Sequence, residues 1–186
     1  MSHSHDSLTR LSKYLSLVLR HHPEKIHLSI DEHGWADAQE LIDNTLAAGR
    51  FDLSRDVLEE IVRTDSKQRY SWSEDGRRIR ANQGHSIPVD LELAPQTPPD
   101  VLYHGTGQKS VSSIQRQGLL HMKRLYVHLS RDIDTAVTVG RRHGACAVFR
   151  VNAAQMARDG FPFYQSVNRV WLTGHVPAHY LHLLDG

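Results

Sequence analysis

A proline-rich segment at residues 94–100, reading APQTPPD, most limits what this chain can fold into. It contains three of the seven prolines and shows no apolar periodicity. Such a composition favours a stiff connection over a packed helix or strand. Because the chain has only 186 residues, we predict two small domains, 1–94 and 101–186, joined by a linker at 95–100.

The first domain shows three helical patterns. The first helix, which Pro23 must end, has apolar residues at helical spacing, namely Leu8, Leu11, Leu15 and Val18. A second helix is predicted from Asp37, where Asp37 and Glu40 resemble a capping box. A third is predicted from Ser54 as the N-cap residue, followed by a buried apolar face.

After the third helix the apolar period changes from helical to alternating. Tyr70 and Trp72 alternate with polar residues, residues 74–77 carry a turn signal, and Ile79 and Ala81 alternate again. The pattern predicts a β-hairpin. Three helices followed by a hairpin is the order of elements in a winged-helix module, which binds mostly nucleic acid but also protein.

The second domain is predicted to be a small α+β domain. Strand-like runs occur at 101–104, 125–129, 145–151, 170–173 and 180–184. Helical stretches separate them at 111–116, 132–139 and 153–157. The sequence has neither the G-x-G-x-x-G fingerprint nor a P-loop.

Composition excludes several classes of protein. No apolar run approaches the roughly 20 residues that a membrane-spanning helix needs. The one cysteine, Cys146, excludes an internal disulfide framework and is typical of a reducing compartment. The 14 histidines form no H-E-x-x-H motif and have no cysteine pair beside them. We therefore expect a cytoplasmic protein without a membrane segment or a bound metal.

The basic residues are unevenly distributed and are mostly arginine. Residues 1–95 hold 12 basic and 16 acidic residues, whereas residues 96–186 hold 10 and 5. Arginine accounts for 17 of the 22 basic residues. Guanidinium groups bind phosphate and carboxylate bidentately, but a GC-rich genome gives the same bias. Only the positions of the arginines can therefore distinguish an anion-binding role from a genomic bias.

Three clusters in the first domain could carry chemistry. Arg20 and His21 end the first helix, where cations also simply stabilise a helix C-terminus. The hairpin carries Arg77, Arg78 and Arg80, which could grip an RNA backbone or form a solvated face. The run Asn82-Gln83-Gly84-His85-Ser86 has no evident packing purpose, and its glycine permits close approach to a ligand.

The second domain adds three clusters, two of them at strand ends. The first reads Tyr103-His104-Gly105-Thr106, and the second places His128 and Ser130 after an apolar run. Arg141 and Arg142 lie between glycines, where they could equally form a basic helix end. Because the candidate chemistry consists of Arg, His, Ser and Thr, the sequence indicates an anionic substrate.

Seven motifs in order closely resemble the NAD-dependent RNA 2′-phosphotransferase family. They are LSKYLSLVLRHHP (11–23), KQRY (67–70), IRANQGHS (79–86), LYHGT (102–106), VHLS (127–130), VGRRHG (139–144) and VWLT (170–173). The resemblance spans nearly the whole chain. It implies an N-terminal winged-helix lobe that binds RNA and a C-terminal lobe of ADP-ribosyltransferase type that binds NAD.

The resemblance also implies a two-step reaction. An internal RNA 2′-phosphate attacks the nicotinamide ribose of NAD, which releases nicotinamide and leaves a 2′-phospho-ADP-ribosylated RNA. The ribose O2″ then attacks that phosphate, which yields 2′-OH RNA and ADP-ribose 1″,2″-cyclic phosphate. The catalytic set of the family corresponds to Arg20, His21, Arg69 and Arg142.

The remaining site residues follow from the same resemblance. The NAD site would comprise Tyr103, His104, Gly105, Thr106, His128, Ser130 and Arg141, and Arg141 could take the catalytic part of its neighbour Arg142. The phosphate or RNA would contact Asn82, Gln83, His85 and Ser86, with the hairpin arginines Arg77, Arg78 and Arg80 on the backbone. We expect a monomer that acts on a tRNA-like RNA with NAD as co-substrate.

Two alternatives remain open at this point. One is an ADP-ribosyltransferase that stops after the first step and leaves ADP-ribose on a nucleic acid or protein. The other is a non-catalytic RNA-binding module. The intact Arg20, His21 and Arg69 argue against the first alternative.

Overall fold

The computed structural model describes residues 4–185, which form two compact units. The first unit ends at Glu92 and the second begins at Leu93. Both combine helices with small antiparallel sheets, so the predicted α+β class is confirmed. The proline-rich segment belongs to the second unit, where Pro98 is buried and the Gln96 amide donates to the carbonyl oxygen of Phe163 (2.7 Å).

The described part of the first unit contains three α-helices, one 3₁₀ helix (Pro23–Ile26) and three short strands. In chain order the α-helices and strands are α1 (His5–Arg20), β1 (Ala36–Asp37), α2 (Ala38–Ala47), α3 (Arg55–Thr64), β2 (Tyr70–Trp72) and β3 (Arg78–Ala81). The strands form an antiparallel sheet in the order β1-β3-β2. The predicted hairpin is therefore confirmed. Strand β1 was not predicted, because two residues are too few to show an alternating pattern.

Side chains predicted to cap the helices do so. The Asp37 carboxylate accepts from the Glu40 amide (2.8 Å), and the Ser54 hydroxyl accepts from the Val57 amide (3.2 Å). The capping box itself is incomplete, because the Glu40 carboxylate accepts from the Ser29 amide instead (3.0 Å). Each cap satisfies an amide that the first turn leaves without a carbonyl partner.

The core of the first unit explains the position of β2. Helix α1 buries one apolar face, comprising Leu11, Leu15, Val18 and Leu19. The Tyr70 hydroxyl donates to the carbonyl oxygen of Ser12 (2.6 Å) and lies 2.6 Å from the Ser16 hydroxyl. These bonds attach the start of β2 to α1 and fix the main chain immediately after Arg69.

Up to residue 185 the second unit contains eight strands and three α-helices, besides 3₁₀ turns at Gln108–Ser110, Arg141–His143 and Ala178–Tyr180. The strands and α-helices are β4 (Leu102–Gly107), α4 (Val111–Gln117), β5 (Leu119–Leu120), β6 (Val127–Leu129), α5 (Ile133–Gly140), β7 (Cys146–Val151), α6 (Ala153–Arg158), β8 (Tyr164–Gln165), β9 (Trp171–Thr173), β10 (His175–Val176) and β11 (Leu181–Leu183). The antiparallel sheets have the orders β11-β7-β4, β6-β9-β8 and β10-β5. The predicted strands and helices are all present, and the strands that the sequence missed have two residues each.

A single backbone bridge between β4 and the end of β6 positions the polar residues of the second unit. The Tyr103 amide donates to the Ser130 carbonyl oxygen (2.8 Å), and the Ser130 amide donates back to the Tyr103 carbonyl oxygen (2.7 Å). Leu102 and Leu129 are buried beside this bridge. The two strand ends that carried polar motifs in the sequence therefore lie side by side.

Candidate active site

Arg20 and His21 are placed by the end of α1. Arg20 is the last helical residue and His21 is the C-cap, whose amide donates to the Leu17 carbonyl oxygen (3.1 Å). The Ser86 amide in turn donates to the Arg20 carbonyl oxygen (3.0 Å). The Ser86 hydroxyl lies 2.8 Å from His21 Nδ1. Ser86 therefore satisfies the open end of the helix and fixes the imidazole ring.

Gly84 lies directly against Arg20. Its φ of +89° is a backbone conformation that residues with side chains rarely adopt. A Cβ atom at this position would lie 3.3 Å from Nε and Cζ of Arg20. The glycine thus allows the 82–86 segment to pass close to the guanidinium group.

His85 is buried in the first unit and is 1% exposed. Within residues 4–185, neither of its ring nitrogens has a hydrogen-bond partner in the protein. Burial, and then the positive charges of Arg20, His21 and Arg80, lower the pKa of His85 to about 4. His85 is therefore neutral at pH 7, and its predicted contact with RNA remains a prediction.

Arg69 lies at the end of a loop that begins at Asp65, the C-cap of α3. The Arg69 guanidinium donates to the Asp65 carboxylate (2.5 Å), and so does the Arg69 amide (2.8 Å). Asp65 is a residue that sequence reasoning missed, since an acidic residue after a helix carries no signal of its own.

Asn82 connects the 82–86 segment to the loop that carries Arg69. The side-chain Nδ2 of Asn82 donates to the Gln68 carbonyl oxygen (2.6 Å), and its Oδ1 accepts from the Ser71 hydroxyl (2.7 Å). The Asn82 main-chain amide donates to the Arg69 carbonyl oxygen (2.8 Å). Because Ser86 at the other end of the segment contacts His21, one short segment joins the surroundings of three predicted catalytic residues.

Two of the three hairpin arginines are already engaged within the first unit. The Arg80 guanidinium lies over the Trp35 ring (4.4 Å) and donates to the His33 carbonyl oxygen (3.2 Å). Arg78 lies 5.5 Å from the same ring and forms an ion pair with Asp31 (3.3 Å). Arg77 lies beside the hairpin turn and, like Arg78, is exposed.

In the second unit, His104 is held by a main-chain carbonyl group. Its Nδ1 donates to the His128 carbonyl oxygen (3.0 Å). Burial is the main cause that lowers the pKa of His104; this hydrogen bond partly opposes it, and the charges of Arg124 and His143 add to it. A neutral ring with its hydrogen on Nδ1 leaves Nε2 as a hydrogen-bond acceptor.

Glycines allow α5 to pack directly on β4. A Cβ atom on Gly105 would overlap the carbonyl group of Ala136 in α5. A Cβ atom on Gly140 would lie 2.5 Å from Cys146 Sγ and 3.0 Å from the Thr106 main chain. Gly105 therefore serves close helix–strand packing in this structure, and its place in the NAD site, which the resemblance implies, remains a prediction.

The basic residues that follow α5 form a single turn of 3₁₀ helix, Arg141–His143. Arg141 and Arg142 are both exposed. Partial burial, and then the charge of Arg142, lower the pKa of Arg124, and Arg124 Nη1 lies 3.3 Å from His128 Nδ1. Arg124 was not predicted, because it lies in a turn without any motif.

The described part of the chain offers no alternative centre of metal chemistry. Among residues 4–185, no group of three or more His, Cys, Asp or Glu side chains could hold a metal ion. No helix in the same range is long and apolar enough to cross a bilayer.

Comparisons with known proteins agree on one family. A family model described as "RNA 2′-phosphotransferase, Tpt1 / KptA family" matches residues 6–175. The chain is 51% identical over 176 residues to a protein of Trichormus variabilis, covering 95% of the chain and 96% of that relative. It is 50% identical over 171 residues to a protein of Flavobacterium johnsoniae, covering 92% and 93%. Both relatives bear the name "Probable RNA 2′-phosphotransferase".

Proposed function

Because the chain belongs to the RNA 2′-phosphotransferase family, we propose that it removes an internal 2′-phosphate from a tRNA-like RNA with NAD as the second substrate. The proposed route passes through a 2′-phospho-ADP-ribosylated RNA and ends with ADP-ribose 1″,2″-cyclic phosphate. The observation that carries this proposal is the linkage of Arg20, His21 and Arg69 through the 82–86 segment.

The proposal includes a fold assignment for each unit. In the first unit, the order α1-β1-α2-α3-β2-β3, with β1 paired to β3, supports a winged-helix module. In the second unit, small antiparallel sheets with helices between the strands are compatible with an ADP-ribosyltransferase-like lobe. RNA binding is accordingly proposed for the first unit and NAD binding for the second.

Three arginines would bind the 2′-phosphate. A phosphomonoester carries close to two negative charges at neutral pH, and guanidinium groups match its oxygens with paired hydrogen bonds. In this role Arg20, Arg69 and Arg142 would stabilise the charge on the phosphoryl oxygens during the second step. Arg141 remains the alternative to Arg142, since both are exposed in the same turn.

His21 would move the proton in the second step. An imidazole has an ordinary pKa near neutrality and can act as an acid or a base there. The hydrogen bond to Ser86 fixes the orientation of the His21 ring (2.8 Å). We assign His21 to the proton of the ribose O2″ or of the departing RNA O2′.

The polar groups of the second unit suit NAD. When bound, NAD would supply the ribose carbon that the RNA phosphate attacks and a neutral leaving group, nicotinamide. The guanidinium groups of Arg124, Arg141 and Arg142 complement a diphosphate. The acceptor Nε2 of His104 and the hydroxyl group of Ser130 would orient the uncharged parts of the molecule.

Product analysis tests the proposal. Purified protein incubated with NAD and a radiolabelled 2′-phosphorylated oligonucleotide should release 2′-OH RNA, also in the presence of EDTA. His21→Ala should accumulate ADP-ribosylated RNA, since proton transfer contributes about 10²- to 10⁴-fold to a rate. The matched control is His22→Ala, which removes the next imidazole, one that is exposed and bonded to Glu24 (2.8 Å).

Each alternative has its own result in this assay. Wild-type protein that stops at ADP-ribosylated RNA would be an ADP-ribosyltransferase, and protein that binds the oligonucleotide without converting it would be a non-catalytic module. If His21→Ala forms no intermediate while it still binds NAD and RNA, the assignment of His21 to the second step is wrong.

A further inference from the structure

The Asp65 carboxylate organises the loop that carries Arg69. Its side chain is 6% exposed. It accepts hydrogen bonds from the Arg69 guanidinium (2.5 Å), the Arg69 amide (2.8 Å) and the Lys67 amide (3.2 Å). The Asp65 carbonyl oxygen accepts a further one from the Gln68 amide (3.0 Å). Asp65 therefore holds residues 65–69 together as a compact loop.

This closed loop holds an unfavourable backbone conformation. Gln68 has a φ of +47°, in the left-handed region that residues other than glycine rarely occupy. Such a conformation persists only where the surroundings impose it. The hydrogen bonds from the amides on either side of Gln68 to the Asp65 carboxylate supply that restraint.

The ion pair with Asp65 leaves the Arg69 side chain partly accessible. The Arg69 side chain is 31% exposed. Together with Asp65 it lines a cavity of about 530 Å³, whose wall also includes Lys13 and the hydroxyl groups of Ser12 and Ser16. A guanidinium group is planar and carries five N–H donors. Fixing Nη1 on Asp65 therefore restricts the directions in which the remaining donors can point.

We propose that Asp65 is a positioning residue that orients the Arg69 guanidinium group for the RNA 2′-phosphate. The inference rests on the proposed function for what Arg69 binds, while the contact between the two residues stands on the geometry alone. Asp65 itself does not touch substrate in this proposal. It acts through Arg69, so its effect must vanish when Arg69 is absent.

Helix α3 offers a matched control at its other end. Arg55 and Glu59 form an ion pair with the same spacing of four residues and a length of 2.7 Å. That pair is half-exposed, and Arg55 also donates to the Gly76 carbonyl oxygen and lies over Trp72. Glu59→Gln therefore removes an acidic partner of an arginine on the same helix without touching the candidate site.

A double-mutant cycle tests the proposal. Asp65→Asn keeps the shape of the side chain and should lower kcat/KM for the 2′-phosphorylated oligonucleotide about 10- to 100-fold, the range expected when a reacting group is misplaced. In an Arg69→Ala background, Asp65→Asn should change kcat/KM by less than about twofold, because coupled residues are not additive. Glu59→Gln should remain within about twofold of wild type. Thermal unfolding verifies that each variant is folded at the assay temperature.

Equal effects of Asp65→Asn in both backgrounds would overturn the proposal, since they would show a role independent of Arg69. A second readout needs no activity: rotation about the Cζ–Nε bond of Arg69, followed by NMR of 15N-labelled arginine. We expect separate Nη signals in wild type and averaged signals in Asp65→Asn. Averaged signals in both proteins would refute the positioning role. Wild-type protein that leaves the RNA unchanged would refute the proposed function, and the NMR result would still decide the role of Asp65.

Discussion

The two units hold their candidate residues in different ways. In the first unit, side chains hold side chains: Ser86 contacts His21, and Asp65 contacts Arg69. In the second unit, the main chain fixes the polar residues, through the bridge between Tyr103 and Ser130 and through close packing of α5 on β4. A side-chain contact can be removed while the fold survives, whereas main-chain packing cannot. Function and stability should therefore separate in the first unit and coincide in the second.

The largest expected effect comes from Gly105→Ala. The added methyl group would overlap the Ala136 carbonyl group, so the cost should reach about 4 kcal/mol, at the upper end for overpacking. Chemical denaturation of the full chain should show early unfolding of the second unit. Gly174→Ala is the control, because nothing lies within 4 Å of its added Cβ. Equal denaturation midpoints for both variants would contradict the packing argument.

The next effect concerns pH and the buried His85. Its pKa is about 4 in the folded protein and 6.5 when unperturbed. Between these values the unfolded chain binds the proton and the folded chain does not, so stability falls as the pH decreases from 6.5 to 4. The contribution lost is roughly 3 kcal/mol, at about 1.4 kcal/mol per pH unit.

His85→Leu isolates this contribution. The substitution removes the titrating ring and sacrifices no hydrogen bond to the described part of the protein. Denaturation at pH 7.5 and at pH 4.5 should show that stability declines less in the variant than in wild type. Parallel declines in the two proteins would mean that His85 does not remain neutral on folding.

A smaller effect is expected from Ser86→Ala. The variant loses one hydrogen bond to His21, worth about 0.5–1.5 kcal/mol, and the second chemical step should slow about 2- to 10-fold. Single-turnover decay of isolated ADP-ribosylated RNA measures that step directly. Ser73→Ala, which removes a hydroxyl bonded to Asp75 at the hairpin turn, is the control. Wild-type decay in Ser86→Ala would show that the ring is oriented by other contacts.

The smallest effect distinguishes the hairpin arginines from one another. Arg77 is exposed, whereas Arg80 is engaged by Trp35 and the His33 carbonyl group. Arg77→Ala should reduce the salt dependence of RNA binding by about one counterion. Arg80→Ala should reduce it less. Fluorescence-anisotropy titrations at several salt concentrations give both slopes, and the reverse order would place the RNA along the Arg80 side of the hairpin.

The sequence predicted regular elements well where the pattern was local. The N-caps Asp37 and Ser54 and the hairpin at Tyr70 were visible because capping and strand alternation involve residues a few positions apart. Strand β1 pairs Ala36 with Ile79, which lies far along the chain. A two-residue strand of this kind depends on tertiary pairing, and no local period can reveal it.

The candidate site was less predictable than the fold. Motifs identified residues such as His104 and Gly105, but not what each one contacts. Gly105 was assigned to the NAD site by resemblance, and the sequence did not show that the side of this glycine that lacks a side chain packs against α5. Asp65 and Arg124 carried no motif at all, because their importance lies in their distance to another side chain. Such distances result from tertiary packing, and no local sequence pattern shows them.

The three tryptophans are distributed so that each unit has its own intrinsic fluorescent probe. Trp35 and Trp72 both lie in the first unit, each with an arginine guanidinium over its ring, while Trp171 lies in the second unit and is 6% exposed. With selective excitation of tryptophan, a chain with Phe at positions 35 and 72 would report on the second unit alone, and a chain with Phe at position 171 on the first. The unfolding of each unit can thus be followed by fluorescence within the intact protein.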